Sequence, residues 1–317
     1  MALRDSCLVL AKTCLNIQKG EEVLIIIDRK GRSIGKEIFA VCDEFGADAM
    51  LLEMLEREFH GQEPPKIVAK AMESAEVVIA PTQKSLSHTD ARRNANKKGA
   101  RIATMPSITE ELMERTLNVD YNEIAELSNK VAKILTEGKE ALITSPGGTN
   151  LSLNIEDRSG VADTGILHNK GDFGNLPAGE AYIAPMEGKT NGTLVIDGVM
   201  AGIGKIDEPI FIEVRDGFAT KITGGKSAEE LRQMLEKTND KNAMNIGELG
   251  IGTNEKAKLS GNLLEVEKVF GTVHIALGDS VSMGGKVKAP IHVDGVVLNP
   301  TLKIDNKVIL ENGKMKL

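Results

Sequence analysis

The stretch Glu22-Val-Leu-Ile-Ile-Ile27 sets five aliphatic residues in a row, and an amphipathic stretch from Gly31 to Phe45 follows it. A short aliphatic run before a helical pattern reads as one β-α unit. The unit repeats. Ala49-Met-Leu-Leu-Glu53 precedes a helical stretch from Pro65 to Ser74, Val77-Val-Ile-Ala80 precedes one from Ser85 to Lys98, and Arg101-Ile-Ala-Thr104 closes the series. Strands that alternate with helices predict a parallel sheet with right-handed crossovers, because a parallel neighbour is reached only through a long connection. A longer segment, Asp120 to Glu137, carries Ile124, Leu127, Val131 and Leu135 at helical spacing and ends at Gly138. The domain boundary is expected there.

From Ala141 the texture changes to frequent glycine and alternating apolar residues, as in Leu151-Ser-Leu-Asn-Ile155, Thr193-Leu-Val-Ile-Asp197, Ile210-Phe-Ile-Glu-Val214 and Val273-His-Ile-Ala-Leu277. Period-two alternation predicts half-buried strands. One helix stands out, Ser227 to Lys237, with Ser227 and Glu230 at capping-box spacing. The expected architecture is an α/β Rossmann-like domain over residues 1–138 with a parallel sheet, followed by an α+β metal-binding catalytic domain over 139–317 rich in antiparallel sheet. The glycine clusters Pro146-Gly-Gly148, Ala201-Gly-Ile-Gly-Lys205 and Met283-Gly-Gly-Lys286 complete no phosphate-loop pattern and read as turns.

A chain of 317 residues has room for two domains. Its 39 Lys+Arg against 46 Asp+Glu, with no basic tail, argue against a nucleic-acid partner. With 3% aromatic residues and no Trp, the composition also argues against base-stacking platforms. No apolar run approaches the roughly 18 to 20 residues of a membrane span, and the first residues lack a leader pattern. A cytoplasmic protein with no membrane partner is expected. Cys7, Cys14 and Cys42 show no metal-type spacing and read as reduced core thiols.

Only five histidines are present, so any metal or acid-base site draws on a short supply. His292-Val-Asp294 lies within the apolar run Ile291 to Leu298, and residues i and i+2 of a strand share a face. An imidazole and a carboxylate projecting together can hold a divalent metal, or the Asp can simply orient a surface His. His274 lies in the apolar run Val273 to Leu277, where a polar ring needs a buried partner or a ligand. Glu180 and Glu248 each sit among apolar residues and glycine, where a buried carboxylate needs a neighbouring cation to stay ionised. Together Glu180, Glu248, His274, His292 and Asp294 would supply enough ligands for two divalent ions. His88 with Arg92 could present a cation on one helical face for a substrate carboxylate, or form a solvated surface.

The segments Asn175-Leu-Pro-Ala-Gly-Glu-Ala-Tyr-Ile-Ala-Pro185, Asn245-Ile-Gly-Glu-Leu-Gly-Ile-Gly-Thr-Asn254, Gly271 to Asp279 and Ile291 to Asp294, in this order, resemble the metal-site motifs of the thermophilic metallo-aminopeptidase family typified by aminopeptidases T and S. The resemblance implies that Glu180, Glu248, His274, His292 and Asp294 bind a co-catalytic pair of divalent ions, Zn, Co, Mn or Mg, in a two-domain homodimer. It further implies a hydrolase that removes N-terminal residues from short peptides by a metal-activated water, with Glu180 or Glu248 as the catalytic proton shuttle. One position departs from that family's pattern. Its tyrosine seven residues after the first metal histidine is replaced by Val281; Tyr182, two residues from Glu180, is the nearest alternative donor. The same superfamily includes ring-opening dioxygenases acting on 2,5-dihydroxypyridine through a single Fe(II), and their two-histidine, one-carboxylate triad would map onto His274, His292 and Asp294. That second reading needs no tyrosine. A third is a catalytically silent metal-binding homologue.

Overall fold

The computed structural model describes residues 3–317. Two compact units emerge, one containing residues up to Ala125 together with Asp163–Ala178, the other Glu126–Ala162 together with Gly179–Leu317. The expectation of a single cut at Gly138 differs from this division on two counts. The division falls inside the helix Tyr121–Glu137, and a later segment returns to the first unit. Helical periodicity runs unbroken through Ala125, and a strand added from a distant segment leaves no local mark.

The first unit is built on a parallel sheet in the order Asp48–Glu53, Glu22–Ile27, Val77–Ala80, Arg101–Thr104 and Phe173–Asn175. Every residue of Val23 to Ile27 is buried because both sheet faces are covered. Val23, Ile25 and Ile27 pack with Ile34, Ile38 and Val41 of the helix Arg32–Glu44. Leu24 and Ile26 point the other way, onto Val68 and Met72 of Lys66–Ser74 and onto Ala91 and Ala95 of Asp90–Lys97. Each such aliphatic contributes about 1.5–3 kcal/mol relative to exposure. The third helix starts at Asp90 and not at Ser85, because the Thr89 hydroxyl accepts from the Arg92 amide at 3.2 Å and caps it. Cys7, Cys14 and Cys42 are buried free thiols in this core.

The second unit packs two sheets around one core. An eight-stranded sheet includes Glu140–Thr144, Asn150–Asn154, Thr190–Ile196, Ile210–Arg215 and Phe218–Thr223. The seven-stranded sheet has Glu180–Ile183, Ile246–Gly252, Val273–Gly278 and His292–Val297 side by side in antiparallel register. Leu194, Ile196, Ile210 and Ile212 from the first sheet meet Leu249, Ile251, Ile275 and Val293 from the second. The helix Lys226–Glu236 adds Leu231 and Leu235. Its N-cap is Gly225 without a side-chain hydrogen bond, so the capping box expected from Ser227 and Glu230 does not start it. The helix begins one residue before Ser227. No helix among the described residues is long and apolar enough to cross a membrane.

Candidate metal centre

Alternation along four neighbouring strands decides where the polar residues go. In the seven-stranded sheet Ala181, Ile183, Leu249, Ile251, Val273, Ile275, Leu277, Val293 and Val297 enter the core between the sheets. Their neighbours Glu180, Glu248, His274, His292 and Asp294 therefore share the opposite face. The structure brings all five together. Asp294 pairs with Ala276, and Ala276 with Glu248, so the two carboxylates reach toward each other over one small methyl. His274 pairs with Gly250. Glu248 stands inside the strand Ile246–Gly252 and not at an edge, since the glycines of this segment serve close approach: a Cβ on Gly247 would lie 2.8 Å from the Asp279 carbonyl oxygen and one on Gly252 2.0 Å from that of Val269.

The side chains form a closed circuit in which cations and carboxylates alternate except where Glu267 meets Asp294. His274 Nε2 is 3.3 Å from Glu180 Oε2 and 3.3 Å from Glu248 Oε1. His292 Nε2 is 3.2 Å from Glu248 Oε2 and 3.5 Å from Asp294 Oδ1. Asp294 takes a side-chain hydrogen bond from Glu267. Lys268 Nζ closes the circuit at 3.1 Å from Glu267 Oε2 and 2.7 Å from Glu180 Oε1. Glu267 and Lys268 were outside the sequence reading, because an adjacent Glu-Lys pair beside a short helix, Leu263–Val266, has the pattern of a solvated surface. Lys268 is instead 1% exposed.

Burial and charge pull against each other at these groups. Burial pushes the Asp294 carboxyl up, but His292 beside it wins and holds it well below the usual range. Glu248 is likewise lowered, since the hydrogen bonds from His274 and His292 outweigh its burial. Burial pushes His274 down, yet Glu248 and Glu180 raise it to about 9. His292 is raised well above 6.5 by Asp294 and Glu248 against the same opposing burial. Glu267 goes the other way, to about 8, because burial and the nearby Asp294 and Glu180 charges exceed the pull of Lys268. A neutral Glu267 can donate to Asp294.

The donor set fits a divalent ion. Glu248, His292 and Asp294 each offer one ligand atom within 4.8 Å of the others. The His292 Nδ1–H is donated to the Asp279 carbonyl at 2.8 Å, which leaves Nε2 as the nitrogen that can serve as a ligand once its proton is lost. Buried Glu180 Oε2 has no hydrogen-bond partner among the described residues, and neither has His274 Nδ1. One imidazole and two carboxylates suit a borderline first-row ion. Of the triad mapped from sequence, His292 and Asp294 converge as expected, and Glu248 stands with them while His274 bridges Glu248 and Glu180.

Other sequence candidates lie elsewhere. Val281 is 50% exposed, in the turn Val281–Met283, so the tyrosine position faces away from a buried role. Tyr182 shares the Glu180 face and pairs with Gly250. The Arg92 guanidinium donates to the Ser87 carbonyl at 2.7 Å and to Asn96 Oδ1 at 3.2 Å, and stacks 4.0 Å over the Phe173 ring. These contacts hold it against residues of its own unit.

The family model described as 2,5-dihydroxypyridine 5,6-dioxygenase matches residues 9–317. The chain belongs to that family. A 2,5-dihydroxypyridine 5,6-dioxygenase from Pseudomonas putida strain KT2440 is 25% identical over 263 residues, covering 77% of this chain and 72% of the relative. The solved structure of 2,5-dihydroxypyridine dioxygenase from the same strain superposes with a TM-score of 0.85 at 20% identity, over 99% of this chain and 96% of that one. Wild-type AmpT from Thermus thermophilus superposes with a TM-score of 0.75 at 16% identity, over 99% of each chain. The fold is therefore shared with the aminopeptidase, and the α/β unit followed by antiparallel sheet is as the sequence predicts. The aminopeptidase activity is not. Membership of the dioxygenase family overturns the reading as a hydrolase and protease that trims peptides, and the paired ions inferred with it are not shown. The segments that carried the sequence resemblance pointed to both kinds of protein, so they could not separate them.

Proposed function

We propose that this chain is an Fe(II)-dependent dioxygenase that opens a dihydroxylated nitrogen heterocycle, 2,5-dihydroxypyridine or a close analogue. The observation that carries the reading is the convergence of Glu248, His292 and Asp294, with the His292 tautomer fixed by Asp279. The family match and the Pseudomonas relative support the ring as substrate. Glu248, His292 and Asp294 would hold the ion, and Fe(II) there supplies the single electrons that dioxygen needs to react with a closed-shell ring.

The remaining work falls to side chains. His274 holds a proton at Nε2 between Glu180 and Glu248. A hydroxyl proton leaving the ring has these carboxylates within reach, and the imidazole relays it. Burial of Glu180, Glu248, His274 and Asp294 keeps bulk water from competing for that proton. His292, with 30% of its side chain exposed, marks where the ring enters. Both atoms of dioxygen end in the opened product, so no reductant is consumed. The test is oxygen uptake by protein loaded anaerobically with Fe(II) and given 2,5-dihydroxypyridine. One O2 consumed per ring lost is expected; iron-loaded protein that takes up no oxygen with any dihydroxypyridine isomer sinks the reading.

A further inference from the structure

We infer that Lys268 occupies the position of a second cation in this centre and thereby limits it to a single metal ion. The inference rests on the reading of Glu248, His292 and Asp294 as metal ligands, and it goes further by assigning a role to the other half of the circuit. Glu180, Glu248, Glu267 and Asp294 place four carboxyl groups on one patch of one sheet face and the turn beside it. Such a concentration of carboxylates can take up two divalent ions. Half of it is already occupied. Lys268 Nζ lies 2.7 Å from Glu180 Oε1 and 3.1 Å from Glu267 Oε2.

A fully buried ammonium is costly unless carboxylates surround it, and Lys268 is surrounded on the side facing the site. Its four-carbon stem is anchored by backbone on either side: the Asn254 amide donates to the Lys268 carbonyl at 2.9 Å, and the Lys268 amide to Glu265 at 2.9 Å. The cation is thus held in place by covalent connection and cannot dissociate as an ion would. Glu180 is committed to it through Oε1, while its Oε2 lies 3.3 Å from His274 Nε2. Glu248, His292 and Asp294, whose ligand atoms converge within 4.8 Å, lie on the far side of the circuit from Lys268. Two ions would require Lys268 to leave.

Metal content reads this directly, without turnover. Wild-type protein and Lys268→Met would be stripped of metal, equilibrated with excess Mn(II), freed of loosely held ions and assayed for manganese per chain, with electron paramagnetic resonance to detect exchange between paired ions. Wild type is expected to hold one ion with an uncoupled spectrum, and Lys268→Met two with an exchange-coupled spectrum. Lys268→Arg, which keeps the cation, is expected to stay at one. Two ions in the wild type, or one in folded Lys268→Met, overturns the inference. A wild type that binds none defeats the metal-centre reading itself, and the lysine assignment with it. Should Lys268→Met fail to fold, Glu180→Gln serves in its place. It is expected to keep one ion at wild-type affinity, and loss of that ion would make Glu180 a ligand and overturn the proposal.

Discussion

Gly250 stands directly across from His274 on the neighbouring strand, and the imidazole occupies the space a side chain there would need: a Cβ on Gly250 would lie 1.9 Å from His274 Nε2. The glycine lets the ring lie flat against the strand and reach Glu180 and Glu248 together. Gly250→Ala should therefore push the ring off both carboxylates while the core residues Leu249 and Ile251 keep the strand in place. A loss of ring-opening activity of at least about tenfold, with the folded circular dichroism spectrum retained, is expected, in line with the effect of disturbing groups around a metal site. Wild-type activity in Gly250→Ala would show that the ring position does not matter.

His292→Ala removes the one ligand whose tautomer the backbone fixes. Iron affinity should fall by about 100-fold or more, taking the upper end of what supporting residues contribute. Isothermal titration with Fe(II) under argon measures it. Unchanged affinity would place the ion elsewhere.

Metal binding should compete with protons. In the metal-free protein His274 is raised from 6.5 to about 9, so its protonated form contributes stability that is fully present below pH 6.5 and lost as pH rises through about 9. The melting temperature of metal-free protein should fall across that window. The ion needs the His292 Nε2 without its proton, and His292 is likewise raised well above 6.5, so the rise in melting temperature on adding Mn(II) should grow as the pH rises. A metal-induced shift that shrinks with rising pH between 6.5 and 9 contradicts this.

Thiol chemistry offers a check on the other unit. Burial pushes the Cys7 and Cys42 thiols up to about 12 and raises Cys14 as well. Thiolate, the reactive form, is then scarce at pH 8. Native protein should react slowly with a disulfide reagent, and all three cysteines should react promptly once it is unfolded in guanidinium. Rapid labelling of the native chain would contradict their burial.

How much of this was legible in the sequence depends on whether the signal was local. Glu22 to Ile27 announces a buried parallel strand because sheet burial on both faces leaves an uninterrupted aliphatic run. His292 and Asp294 were legible as a pair, since parity along one strand is enough to put them on one face. Phe173–Asn175 was not, because its place at the edge of the parallel sheet depends on Arg101–Thr104, some seventy residues earlier. Lys268 was invisible for a similar reason: its ammonium meets Glu180, 88 residues away, across strands whose register no local pattern encodes. Chemistry was harder still. The same motifs suit hydrolysis and oxygenation, and the substitution at Val281 was a sign of departure from peptidases without naming the destination.

The sharing of four strands between an oily interior and a reactive exterior has a consequence for how such a protein can change over generations. Deleting a single residue just ahead of His292 would turn His292 and Asp294 into the packed interior and send Val293 to the reaction surface. Length here is as constrained as identity. Replacements on the reactive side, by contrast, leave the packing of Leu249, Ile275 and Val293 untouched. A change of chemistry on this sheet can thus come by point replacement, while a change of length is accommodated only in the turns between the strands.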